Sequence, residues 1–177
     1  RYYLHNSNGS DNDRSIINFN SKNIFFNPKI GFNLKLHPKS NIYSSVSVAN
    51  REPIRIDFLD SYEKPKHETL YDFEFGYNIN YNLGFFKTNF YWMEYKNQLI
   101  TTGELNDVGG YIRTNAKKSR RVGVEISNKI YKKKFNISSS LTLSKNFVYD
   151  FNENLYDYGN DFNQYNIIKK IYLKSNI

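Results

Sequence analysis

The sequence predicts an all-β fold: an antiparallel transmembrane β-barrel segment of about seven strands, with short periplasmic turns and long extracellular loops. Three observations predict it, namely alternating apolar and polar residues, strands near ten residues long, and connections that alternate in length. Aromatic residues form 18% of the 177 residues, yet mean hydropathy is only -0.71. No apolar run approaches the roughly 18 residues of a membrane-spanning helix, whereas a barrel strand needs only every second residue to face lipid.

The alternation is strictest in residues 69–81, TLYDFEFGYNINY. One face of this predicted strand would carry Tyr71, Phe73, Phe75, Tyr77, Ile79 and Tyr81, and the other Asp72, Glu74, Gly76, Asn78 and Asn80. In a soluble sandwich the apolar face would pack on a second sheet, whereas in a barrel it would face lipid. The alternation alone therefore leaves both folds open.

Seven strands are predicted along the chain. They cover residues 28–37, 42–51, 69–81, 85–96, 111–131, 135–148 and 167–173. Tight turns follow the first, third and fifth strands. The long connections 52–68, 97–110 and 149–166 follow the second, fourth and sixth. Antiparallel neighbours would then have all short turns at one end, as outer-membrane barrels do. Sandwiches have crossings between sheets and no reason to sort loops by length, so this order favours the barrel.

Composition and motifs exclude several other classes of protein. The net charge of +8 suggests nucleic-acid binding, but the cations gather at residues 117–121 and 132–134 while the aromatics recur along every strand. The chain has no Cys, and its three His are scattered. The Ser-rich segment 138–144 lacks a nucleophile elbow, and the glycines of 103–110 lack phosphate-binding spacing. We therefore expect no enzyme activity, no cofactor, no metal site and no nucleic-acid partner.

Four segments, in one order, resemble the TonB-dependent outer-membrane receptors. They are SVSVANREP (45–53), KPKHETLYDFEFGYN (64–78), FYWMEYKNQLI (90–100) and YIRTNAKKSRRVGVEI (111–126). Glu74 and Gly76 match a Glu-x-Gly strand motif, and the last segment closes on Gly-Val-Glu at 123–125. Each motif is weak alone, but four in the family's order are specific.

The resemblance implies a barrel of typically twenty-two strands around an N-terminal plug, in the outer membrane of a Gram-negative bacterium. Such a receptor imports a scarce ligand, whether iron chelate, cobalamin, glycan or peptide, with energy relayed by the TonB complex through the plug. This sequence shows neither plug nor TonB-box-like start, and seven strands cannot close a barrel. We therefore expect residues 1–177 to form part of the middle to late barrel wall, in contact with outer-membrane lipid.

The comparison with the family also suggests site residues. Arg51 and Pro53 would form a rim motif at the extracellular end, as an anchor rather than a ligand contact. Lumen-facing carboxylates would be Asp72, Glu74 and Glu125, pairing with cations of the plug or of neighbouring strands. The loop 149–166 carries candidate ligand-binding residues for a cationic or sugar-like ligand, namely Asp150, Glu153, Tyr156, Asp157, Tyr158 and Asp161. The alternative for that loop is a hydrated surface.

Three functions remain open from the sequence. The first is a transporter of the TonB-dependent class. The second is a barrel that transports nothing and serves as a subunit of a larger envelope assembly, with a surface lipoprotein or other envelope subunits as partners. The third is a soluble carbohydrate-binding β-sandwich, which would purify without detergent.

Overall fold

The computed structural model describes residues 2–10, 16–59, 63–106, 109–157 and 166–173. Within these ranges lie ten strands and one short helix. They are β1 Tyr2–Ser10, β2 Ile16–Ile24, β3 Lys29–His37, β4 Ser40–Arg51, α1 Arg55–Leu59, β5 Glu68–Tyr81, β6 Gly84–Leu105, β7 Tyr111–Lys132, β8 Phe135–Tyr149, β9 Phe151–Asp157 and β10 Asn166–Leu173. No helix among the described residues is long and apolar enough to cross a membrane.

Six consecutive strands form one antiparallel sheet in the order β3-β4-β5-β6-β7-β8. Two hairpins, β1-β2 and β9-β10, form separate two-stranded sheets. The predicted all-β, antiparallel fold is thus confirmed. The sheet does not close on itself, because β3 and β8 are its two edges, so it has the form of a partial barrel wall.

The three tight turns of the sheet contain two residues each, and all lie at one end, which we call the turn end. They are Pro38-Lys39, Asn82-Leu83 and Lys133-Lys134. Two of the turns are also hydrogen-bonded to a neighbouring strand. Asn80 N of β5 donates to Lys39 O at 2.7 Å, and Tyr131 N of β7 donates to Leu83 O at 2.5 Å. We call the opposite end, where the longer connections lie, the loop end. The predicted sorting of connections by length therefore appears in the structure.

The loop end contains more strand than the sequence predicts. β6 and β7 have 22 residues each, so most of the predicted connection 97–110 is strand. Residues 2–10 and 16–24, for which the sequence predicts no strand, form the β1-β2 hairpin. The predicted loop 149–166 contains β9, which pairs with β10. These segments lack a clear apolar period. They are strands because their backbones pair, and backbone pairing cannot be read from composition.

The register places aromatic and aliphatic residues of adjacent strands on one face, which we call the apolar face. In one row Val46, Phe73, Trp92 and Val122 are successive partners, and in the next Ser44, Phe75, Phe90, Val124 and Leu143. Tyr71, Phe73 and Phe75 remain 40–43% exposed, so no second layer of protein covers them. A sandwich would bury these rings, so the exposure contradicts the sandwich alternative.

The apolar face has the height of a bilayer. Along β5, the alternate residues from Tyr71 to Tyr81 lie on the apolar face, and Ile79 lies opposite Phe86 in the same face. At about 3.3 Å per residue this series spans roughly 33 Å along the strand, or roughly 25 Å along the membrane normal at a tilt of about 40°. That height matches the apolar band of roughly 25 Å on outer-membrane barrels. Tyr71 and Tyr81 lie at its two ends, the places that aromatic girdles take on such barrels.

The opposite, polar face contains two rings that lie across glycines. Gly76 is the register partner of Tyr43, and a Cβ built on Gly76 would overlap the Tyr43 ring. Gly123 is the partner of Tyr91, and a Cβ there would lie 2.5 Å from Tyr91 Oη. A glycine leaves open space above the sheet, and the neighbouring tyrosine fills it.

We predict that Gly76→Ala destabilises the protein by about 1–3 kcal/mol, the usual cost of overpacking, because the new methyl group displaces the Tyr43 ring. The measurement is the unfolding midpoint of detergent-solubilised protein, read from its heat-modifiable electrophoretic mobility. Asn78→Ala, on the same face of the same strand, is the control and adds no atoms. Adding Tyr43→Ala to Gly76→Ala should remove most of the extra cost of the glycine substitution. Equal midpoints for Gly76→Ala and wild type would contradict this packing.

Candidate functional site

The end of β4 is tied to the start of β5 by a two-pronged ion pair. Arg51 Nη2 donates to Glu68 Oε1 at 2.9 Å, and Arg51 Nε lies 2.9 Å from Glu68 Oε2. Glu68 is buried, and its Oε1 also accepts from the backbone N–H of Leu99 at 2.6 Å. Leu99 pairs with Asn115 of β7 on one side, but β5 begins at Glu68 and gives β6 no partner at Leu99 on the other side. There the Glu68 carboxylate takes the place of the missing ladder bond.

The described parts of the connection 52–67, residues 52–59 and 63–67, pack against β7. Pro53 is fully buried, as is most of Asp57, which belongs to α1. Asp57 Oδ2 accepts from Ile54 N at 2.8 Å, which caps the first turn of the helix. Asp57 Oδ1 lies 2.6 Å from Arg113 Nη2 of β7. The structure therefore places Arg51 in an ion pair and Pro53 in a packed interior, both at the loop end of the sheet.

A second tie to β7 uses one amide side chain. Asn115 Oδ1 accepts from Lys66 N at 2.7 Å, and Asn115 Nδ2 donates to Lys66 O at 3.0 Å and to Asn97 O at 2.6 Å. Asn97 has a φ of 53°, which non-glycine residues adopt rarely and asparagine most readily. The sequence did not single out Asn115, because its partner residues Asn97 and Lys66 lie 18 and 49 residues away along the chain.

An open cavity of about 380 Å³ lies at the loop end, between β2 and residues 53 and 64–67. Its walls include Lys22, Lys64, Lys66, His67 and Asn97. Lys64 Nζ donates to Asn20 O at 3.4 Å across it, and the His67 ring meets Phe25 edge-on at 5.3 Å. The side chains that bear charge in this cavity are cationic, so it suits an anionic ligand.

The predicted acidic ligand loop has a different structure. Asp150 is exposed and takes a φ of 51°, forming the corner at which β8 ends and β9 begins. Glu153, Tyr156 and Asp157 belong to β9, but from residue 153 on the structure describes only the backbone of this strand, so their side-chain roles stay predictions. Tyr158 and Asp161 lie outside the described residues. The expectation of an irregular loop was wrong for 151–157, because these residues pair with β10.

The three carboxylates Asp72, Glu74 and Glu125 all lie on the polar face. Glu74 Oε2 accepts from Ser45 Oγ at 3.3 Å, and Asp72 Oδ1 is buried without a hydrogen-bond partner among the described residues. Glu125 is two strands away, where its register partner on β6 is Asn89, which accepts from Tyr43 Oη at 2.9 Å. Asp72 and Glu74 are therefore close neighbours, whereas Glu125 stands apart. Within the described residues, no group of three or more His, Asp or Glu side chains could hold a metal ion.

The family described as TonB dependent receptor-like, beta-barrel, matches residues 1–172. No curated protein matches the sequence. Among solved structures, the FrpB iron transporter from Neisseria meningitidis (F3-3 variant) aligns with a TM-score of 0.57 and 20% identity over 78% of this chain. The aligned part covers 22% of that transporter, so the chain spans about a fifth of its length.

We predict that Glu68→Ala lowers the free energy of unfolding by about 1–3 kcal/mol and speeds hydrogen exchange at the Leu99 amide, because that N–H loses its acceptor. Glu68→Gln keeps an acceptor oxygen and should retain most of the protection at Leu99. Glu63→Ala, which removes an exposed carboxylate from the same connection, is the matched control. Unchanged exchange at Leu99 in Glu68→Ala would show that the carboxylate does not replace the missing ladder bond.

Proposed function

The chain belongs to the TonB-dependent receptor β-barrel family, and from this membership we propose that it forms part of the wall of an outer-membrane receptor that imports a scarce ligand. The observation that carries the proposal is the match over residues 1–172, joined with a sheet whose apolar face has bilayer height. Family members are transport receptors rather than enzymes. The location proposed for this chain is the outer membrane of a Gram-negative bacterium.

In the proposed orientation the apolar face meets lipid, and the polar face meets the barrel lumen. Support comes from energetics, since a charged side chain on a barrel's lipid face costs free energy, about 2–4 kcal/mol for a cation at the bilayer midplane and less for Asp or Glu. The polar face carries Asp72, Glu74 and Glu125, and the opposite face carries Phe73, Phe75 and Leu143 in the matching rows. The buried, unpartnered Oδ1 of Asp72 would receive a donor from a plug inside the barrel.

The proposed topology puts the turn end in the periplasm and the loop end outside the cell. Two-residue turns are characteristic of the periplasmic side of such barrels, and longer connections of the extracellular side. β6 and β7 have 22 residues each, about twice the 9–11 that a barrel strand needs to cross a bilayer. Their upper halves would therefore project beyond the membrane and hold the connection 52–67 in place.

For the ligand we propose an anionic iron chelate. The solved neighbour is an iron transporter by its title, and the cavity near the rim carries Lys22, Lys64 and Lys66. Cationic side chains attract and hold an anionic chelate by charge and hydrogen bonding. This proposal replaces the cationic or sugar-like ligand expected from the acidic residues of 149–166, whose side chains are mostly outside the described part.

The orientation of the two faces can be tested with nitroxide labels, since the chain has no native Cys. We predict that labels at Phe73→Cys and Phe75→Cys collide mainly with oxygen, which concentrates in lipid. Labels at Asp72→Cys and Glu74→Cys should be shielded from lipid and show much lower oxygen accessibility. The measurement is power-saturation electron paramagnetic resonance on protein in lipid bilayers. Equal oxygen accessibility at odd and even positions would contradict a lipid-facing sheet.

Transport can be tested in cells grown under iron limitation. We predict that deleting the gene abolishes energy-dependent uptake of a ferric chelate, and that a protonophore has the same effect. Lys64→Gln with Lys66→Gln should raise the half-saturation concentration about tenfold, the effect of losing about 1.4 kcal/mol of binding. Lys133→Gln with Lys134→Gln, at the turn end, is the control. Normal uptake of all ferric chelates after deletion, with envelope proteins co-purifying, would favour the non-transporting subunit instead.

A further inference from the structure

A cluster of cationic and aromatic side chains lies on the apolar face, immediately beyond its apolar rows at the loop end. We define the basic-aromatic cluster as Lys96, Lys118 and Arg120 with Tyr71, Trp92, Tyr149 and the central Glu94. In the register, Tyr71, Glu94 and Arg120 share one row, and Lys96, Lys118 and Tyr149 share the row above it. The cluster therefore faces the same way as the exposed aromatic residues.

Glu94 organises the cluster. Its Oε1 accepts from Trp92 Nε1 at 3.1 Å and is paired with Arg120 Nε, and its Oε2 lies 3.7 Å from Lys118 Nζ. The Arg120 guanidinium lies over the Trp92 ring at 4.6 Å from its centroid. Arg120 is thus held between a carboxylate and a ring, so its remaining N–H groups point in a defined direction.

The two lysines extend the cluster over neighbouring rings. Lys96 Nζ lies 5.2 Å from the Tyr71 ring centroid, and Lys118 Nζ lies 5.7 Å from that of Tyr149. Both lysines are exposed, and the Lys118 side chain keeps 54% of its surface accessible. Three cations stand around the single carboxylate of these two rows, so the cluster keeps a positive charge. An open cavity of about 490 Å³ lies against Tyr71, Lys96 and Lys118.

The depth of the cluster identifies its surroundings. The next row towards the turn end contains Phe73, Trp92, Val122 and Lys145, and the following one Phe75, Phe90 and Val124. The Lys145 ammonium reaches back towards the loop end, over the Phe147 ring at 5.0 Å, and Phe147 is in the row of Arg120. Those rows would contact acyl chains, so the cluster would lie one row higher, at the headgroups. Charge is tolerated there, and long lysine side chains can reach further out to polar groups.

We propose that the basic-aromatic cluster binds the phosphorylated sugar headgroup of an outer-leaflet glycolipid. Lys96, Lys118 and Arg120 would hold the phosphates, for which ammonium and guanidinium groups are the usual partners. The faces of Tyr71 and Tyr149 would pack on the sugar rings, as flat apolar surfaces. The acyl chains would continue over Phe73 and Phe75. This inference rests on the outward orientation proposed above but not on transport.

The test is a binding titration of the purified protein, in uncharged detergent, with fluorescent diphosphoryl lipid A. We expect Lys96→Gln with Lys118→Gln to weaken binding about tenfold or more, as expected for two lost charge-assisted contacts. Lys133→Gln with Lys134→Gln, which removes the same charge at the turn end, should leave binding unchanged. Arg120 is retained in the test variant because it is packed on Trp92, and heat-modifiable mobility confirms folding of each variant.

Three further measurements complete the test. Dephosphorylated lipid A should bind about tenfold more weakly than the diphosphoryl form, and salt should weaken binding of the latter. Equal affinity for the two forms, or equal affinity of the wild type and the Lys96/Lys118 variant, would overturn the proposal. Competition by inorganic phosphate at concentrations matching the lipid would also overturn it, in favour of a free-anion site. Since uptake of ferric chelate is a separate assay, failure of the proposed transport leaves this test intact.

Discussion

The backbone ladder of the six-stranded sheet is the constraint on which the other features depend. Once β3 to β8 pair in one antiparallel register, every residue is assigned to one of two faces, and a slip of one residue would exchange them. In hydrocarbon each strand must also have its N–H and C=O groups paired, so the register cannot relax locally. Rings therefore accumulate on one side and hydroxyls, amides and carboxylates on the other.

This geometry explains in physical terms why the family motifs have these residues. In the Glu-x-Gly motif, Glu74 accepts a hydrogen bond from Ser45, and Gly76 leaves room for the Tyr43 ring. The Gly-Val-Glu motif repeats the arrangement, with Gly123 beneath Tyr91. The intervening residues, Phe75 and Val124, lie in the same row of the apolar face. Each motif thus corresponds to one step of a two-residue period, with glycine–tyrosine packing on the polar face and an exposed apolar side chain on the other face.

The loop end differs from the rest of the sheet in how it is stabilised. The strands below are held by long ladders, whereas the rim is held by a few side chains: Glu68 with Arg51 and Leu99, Asp57 with Arg113, and Asn115 with Lys66 and Asn97. Such ties hold the connection 52–67 against β7 without making it part of the sheet. A rigid rim and a cationic cavity beside it are what selective capture of an anionic ligand would require.

The sequence by itself determined the all-β fold, the two faces of β5 and the tight turns, because these depend on local alternation and turn chemistry. It did not show the β1-β2 hairpin or the upper halves of β6 and β7, since these segments have no regular apolar alternation to detect. Only the tertiary structure brought Arg51 to Glu68 and gathered Glu94, Lys118 and Arg120, which lie up to 26 residues apart. Such contacts depend on register between strands, and register is a property of the paired sheet rather than of any one segment.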